Sequence, residues 1–173
     1  MTQFSKYKSW SNLKRLLGEL LCDGLKGRIS YFYTRYHKDR GSFGRATINI
    51  DKTELVAFSW DVGLDIQWQD EYGACLDNPD TNQASVHSML MKEKWMPQGT
   101  LCHKDFLEAV TAYLNTDITT ALYSDNYIMR ALAYMDRRVG KRTLIKIKKD
   151  AEALPKWVKQ FYDIRCLAEG IDA

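Results

Sequence analysis

Near the end of the chain, residues 136–142 read Asp136-Arg137-Arg138-Val139-Gly140-Lys141-Arg142, four cations and one carboxylate within seven residues. Two chemistries suit that set. Guanidiniums fork onto phosphate or carboxylate through paired N–H donors, and Gly140 would let the backbone approach such an anion. The alternative is scaffolding: cations gather where a helix leaves its last carbonyls unpaired, with Asp136 holding a neighbouring donor. The candidate binding residues are Asp136, Arg137, Arg138, Lys141 and Arg142, joined by Arg35 and Arg45 from the N-terminal third.

Other constellations fail on spacing. A phosphate-binding loop needs glycine five residues before Gly140, where Met135 stands, and Ser or Thr after Lys141, where Arg142 stands. Cys102 and His103 open an expected helix, whose dipole would lower a thiol pKa, but adjacent residues seldom point at one another. Asn78, Asp80 and Asn82 match the first ligands of a calcium loop, yet Gln83 takes the place of its glycine and Met89 that of its terminal glutamate. Three histidines and four scattered cysteines show no zinc spacing. Neither a catalytic residue, a metal site nor a cofactor is expected.

Aromatic and basic side chains mingle from Tyr31 to Lys38. On an open sheet they would stack bases and contact phosphates; two-sided burial of strand aromatics between helices is the plainer expectation.

The 173 residues carry a net charge of +3 that hides strong segregation. Residues 1–50 hold 10 Lys/Arg against 3 Asp/Glu, residues 51–80 hold 1 against 8, and residues 136–173 hold 10 against 6. Such blocks either neutralise one another in the fold or form faces for different partners. With 45% apolar and 27% charged residues, the composition is that of a soluble globular domain and excludes disorder and collagen. No apolar run approaches the roughly 20 residues of a membrane span, and Met1 to Trp10 lack a signal-peptide core, so a cytoplasmic protein without membrane contact is expected. Cys22, Cys75, Cys102 and Cys166 fit no disulfide framework and are expected reduced.

The elements that must position these residues follow from periodicity. Leu13, Leu16, Leu17, Leu20 and Leu21 form one helical stripe within residues 11–25, with Ser9 or Ser11 as cap and Gly27 as stop. Residues 28–36, the run Ala46-Ile48-Ile50 and residues 54–60 read as three strands of an antiparallel meander turning at Asp51-Lys52-Thr53, with residues 64–68 as a further strand. Helices are expected at about 82–94, 104–114, briefly after Asp117, and at 126–138 with Ser124 or Asp125 as cap and Gly140 as exit. Two more follow at 141–149 and from Pro155 to Gly170, the last with Trp157, Val158, Phe161 and Ile164 on one face. The fold expected is α+β: a small antiparallel sheet of three or four strands against an N-terminal helix and a C-terminal helical cluster, in a single domain over residues 1–173.

Trp10-x-x-Leu13-Lys14, Leu25-Lys26-Gly27-Arg28, Gly44-Arg45, Ile48-x-Ile50-Asp51 and the closing Asp136–Arg142 motif together resemble a family of small, stand-alone bacterial proteins of uncharacterised function, over most of residues 10–145. The resemblance implies a class of protein and no reaction. From charge, the expected role is a non-catalytic protein-binding module of immunity or antitoxin type, its acidic stretch steering a basic toxin. The alternatives are nucleic-acid or nucleotide binding through the basic turn, and an enzyme of unrecognised type built on a deep pocket around Asp136.

Overall fold

A computed structural model describes residues 9–36, 43–60, 62–76 and 82–172. Lys38, Asn78 and Asp80, named above, lie outside these residues.

Helix α1 (Trp10–Leu20) begins where the Ser9 hydroxyl accepts from the Asn12 N–H, and it buries Leu13 and Leu17. It ends before Leu25 because Leu21 leaves to form a bridge with Asp136. A 3₁₀ turn (Asp23–Leu25) follows, and Gly27, at φ 77°, turns the chain into the sheet.

Strands β1 (Ile29–Arg35), β2 (Gly44–Ile50) and β3 (Thr53–Trp60) pair antiparallel in that order. A two-residue turn joins β2 to β3, with Asp51 at φ 48° and Lys52 at φ 69°. Both signs match the primed hairpin turns whose twist suits flanking strands. Strand periodicity then sorts the side chains. Tyr31, Ala46, Ile48 and Phe58 are buried on the helix side, whereas Phe32 stays 49% exposed. The two-sided burial expected for the aromatics therefore fails, since alternate residues of β1 point to opposite faces and one face remains open at Phe32.

The expected fourth strand at residues 64–68 is helix. It belongs to α2 (Val62–Leu76), where Trp68, Tyr72 and Cys75 at helical spacing pack on a small cluster of Val86, Leu90 and Trp95. Helix α3 (Gln83–Leu90) runs through a π-helical turn (Met91–Trp95) into the short α4 (Met96–Gln98). Gly99 stops it at φ 75°, with the Trp157 ring so close that an added Cβ would lie 3.2 Å from it. The Trp157 Nε1–H donates to the Met96 carbonyl at 3.0 Å, tying this unit to the main core.

Helix α5 (His103–Leu114) starts with a reciprocal cap, in which Asp105 accepts from the Cys102 N–H at 2.7 Å. Helices α6 (Ile118–Leu122) and α7 (Tyr127–Met135) are capped by Asp117 and Asn126; Asn126 displaces the expected Ser124 and Asp125 because its Oδ1 accepts from both the Ile128 and Met129 N–H groups. Helix α7 stops at Met135, three residues early. Gly140 is the N-cap of α8 (Lys141–Lys146) at φ −80°, so neither conformation nor crowding requires glycine there. Helix α9 (Lys148–Glu152) and α10 (Lys156–Glu169) complete the chain, with Gly170 at φ 68° as the final stop. The inner stripe of α10 is Val158, Phe161, Tyr162, Arg165 and Cys166, rotated from the expected face to include a charged residue. The architecture is α+β, the sheet lying on α1 and α5 with the later helices beyond. Among the described residues no helix is long and apolar enough to cross a membrane.

Candidate functional site

The chain leaving α7 runs against the chain leaving α1: the Cys22 N–H donates to the Met135 carbonyl at 3.0 Å and the Arg137 N–H to the Leu20 carbonyl at 2.8 Å. That pairing places Asp136, 1% exposed, beneath the turn. A carboxylate at such depth needs partners, and it has them. Arg138 donates from its backbone N–H at 2.7 Å, from Nε to both oxygens at 3.1 Å, and from Nη2 at 2.7 Å. The Tyr113 hydroxyl of α5 also donates to Oδ2, and its ring lies under the Arg138 guanidinium, 5.8 Å from the centroid. Hydrogen bonding to Asp136 raises the Arg138 guanidinium above its ordinary range. Burial, reinforced by the Asp136 charge, does the same to the Tyr113 and Tyr31 phenols. The crevice between Leu17, Tyr31, Tyr113, Leu132 and Asp136 does not admit a water molecule, so this carboxylate meets protein on every side.

The carbonyls of the same turn are held by a residue outside the basic motif. Arg165, 2% exposed, donates to the Asp136 carbonyl from Nη1 and to the Val139 carbonyl from Nη2, each at 2.8 Å. Its charge is met by Glu169 at 3.1 Å, and Glu169 also receives Lys141. The signal was present in the sequence: Arg165 continues the stripe Val158-Phe161-Tyr162 at positions where an apolar residue belongs, and a lone arginine there must serve buried acceptors.

The outer side of the segment is different. From Arg137 to Lys149 there are seven cations and no carboxylate. Arg138 is taken by Asp136 and Lys141 by Glu169. Arg137, Arg142, Lys146, Lys148 and Lys149 make no ion pair among the described residues, and all but Lys148 are exposed. The charge of Arg137 contributes to holding the Asp23 carboxyl low, behind the larger effect of Lys26.

Arg35 and Arg45 are not brought to this turn. Both belong to the β1–β2 ladder, where Arg45 is bound to Glu54 at 2.6 Å and Arg35 ends its strand exposed. Within the acidic stretch, Asp51 pairs with Arg28 at 2.7 Å, Glu54 with Arg45, and Glu71 with Lys94 at 2.7 Å while also accepting from Trp95. Asp70 stays exposed.

The Cys102 thiol, far from being activated by α5, is pushed up to about 12 by burial and the nearby Asp105. His103 is fully buried against Gly44 and Tyr33, and neither ring nitrogen has a hydrogen-bond partner among the described residues. Among the described residues no group of three or more His, Cys, Asp or Glu side chains is placed to hold a metal ion.

Comparison with known proteins gives a family and nothing finer. The model of the SF0329 protein family matches residues 9–166. No curated protein and no solved structure matches the chain.

Proposed function

This chain belongs to the SF0329 protein family, and for this member of it we propose a non-catalytic binding role, in which an anionic macromolecule is received on the outer side of residues 137–149. The supporting observation is the division of labour within one basic segment. Arg138 and Lys141 are neutralised by the fold, while Arg137, Arg142, Lys146, Lys148 and Lys149 carry charge that no described carboxylate within ion-pair distance cancels. Uncancelled surface charge costs the fold some self-repulsion and speeds encounter with a partner of opposite sign. Docking of a basic toxin on the acidic stretch has weaker support, because Asp51, Glu54 and Glu71 are already paired.

The test is co-purification of the tagged full chain with its partner from its own cells, beside the charge-reversed variant Arg142→Glu/Lys149→Glu. The partner of the native chain should be lost by the variant and released as salt is raised. A partner retained equally by both proteins would refute the assignment.

A further inference from the structure

The basic segment is patterned as well as charged. Arg142, Ile145, Lys146 and Lys149 are spaced three, one and three residues apart, one stripe along the α8–α9 pair, and all four are exposed. The opposite stripe, Leu144, Ile147 and Ala151, is buried. The outward orientation of the first set is thus fixed by burial of the second. At the centre of the outward stripe stands an isoleucine, 60% exposed, with a cation at each of positions −3, +1 and +4 relative to it.

We infer that this stripe docks an acidic, helix-forming protein segment that carries an apolar side chain among its carboxylates. The inference rests on the anionic-partner reading and narrows it. At helical rise the seven steps from Arg142 to Lys149, which cross the turn at Ile147 between α8 and α9, cover about 10 Å, the length over which two turns of a facing helix present three carboxylates. Charge complementarity orients that helix, and Ile145 supplies the dry contact that a purely ionic interface lacks, with the cations as its rim. Nucleic acid suits the stripe less. A phosphate backbone would engage the cations and leave Ile145 without a role, and residues 137–152 contain no aromatic side chain on which a base could stack.

The experiment is fluorescence anisotropy with the full chain and three labelled probes. One is a peptide of about 18 residues, long enough to be helical, with glutamates on one face around a central leucine. The others are single-stranded and duplex DNA of similar length. The peptide should bind in a salt-dependent manner, and Ile145→Ser, a surface change that leaves the fold intact, should weaken it about tenfold, as should Leu→Ser in the peptide. DNA bound in preference, with Ile145→Ser without effect, would overturn this inference and leave the anionic-partner reading standing. No binding of the peptide would also overturn it. If, in addition, co-purification were insensitive to charge reversal, the broader reading would fall with it.

Discussion

Asp136 and Arg138 are two residues apart in sequence, yet the guanidinium folds back over the ring of Tyr113 to place Nη2 2.7 Å from Oδ2 of a carboxylate that is 1% exposed. The motif supplies both halves of this ion pair, and what it closes is the junction between the ends of α1 and α7.

Breaking the junction should be costly. Asp136 is buried while Arg138 keeps 37% of its side chain exposed, so Asp136→Asn, which takes the charged acceptor from that guanidinium, should lose about 1.5–3 kcal/mol, measured by urea unfolding. Tyr113→Phe, which removes one donor of several, should cost about 1–2 kcal/mol. The double variant should lose less than the sum, because both act on one network.

His103 makes stability depend on pH. Burial, with Lys104 and Arg35 adding to it, lowers the imidazole from its ordinary 6.5, and Asp105 opposes them weakly. Between the two values the unfolded chain takes a proton that the folded chain refuses. Stability is therefore complete above 6.5, falls as pH drops below it, and levels off below the folded pKa. His103→Phe should flatten unfolding free energy between pH about 6.5 and 5, where carboxylates contribute little. An unchanged slope would mean that another group carries the acid sensitivity.

Gly44 is the backbone position that allows His103 to pack against the sheet. A Cβ there would lie 2.4 Å from the Thr34 carbonyl oxygen and 2.7 Å from the imidazole, and the first obstacle is main chain. Gly44→Ala should cost about 3 kcal/mol or abolish soluble expression. Melting near the native temperature would show that the ladder relaxes more easily than this packing implies.

Lys52 offers the opposite sign. It holds φ 69° in the β2–β3 turn, a region that costs a side-chain-bearing residue energy, and it makes no ion pair among the described residues. Lys52→Gly should stabilise the protein by about 0.5–1 kcal/mol in thermal unfolding.

Much of this architecture was legible beforehand, for reasons that can be named. The meander announced itself through alternation in β1 and a turn at Asp51-Lys52-Thr53, one residue longer than the turn observed because Thr53 already pairs with Ile50, and α1 through its leucine stripe. Residues 64–68 misled because Leu64, Ile66 and Trp68 alternate like a strand; only the more distant Tyr72 and Cys75 reveal the helical period that packs on Val86, Leu90 and Trp95. The basic turn showed its composition and hid its pairing. Nothing local says that Asp136 turns inward, because its burial depends on Tyr113, 23 residues earlier, and on Arg165, 29 later. A single arginine on an apolar helix face, Arg165, is a stronger sign of a buried role than the charge-dense motif.

The central claim is that cations of one segment have separate duties, Arg138 closing the fold and Arg142 facing a partner. Thermal unfolding of Arg138→Ala and Arg142→Ala, measured side by side in the full chain, tests it most directly. The account predicts that Arg138→Ala melts about 5–10 °C lower while Arg142→Ala melts within about 2 °C of the native protein. Equal melting temperatures for the two variants, or a larger loss for Arg142→Ala, would contradict it.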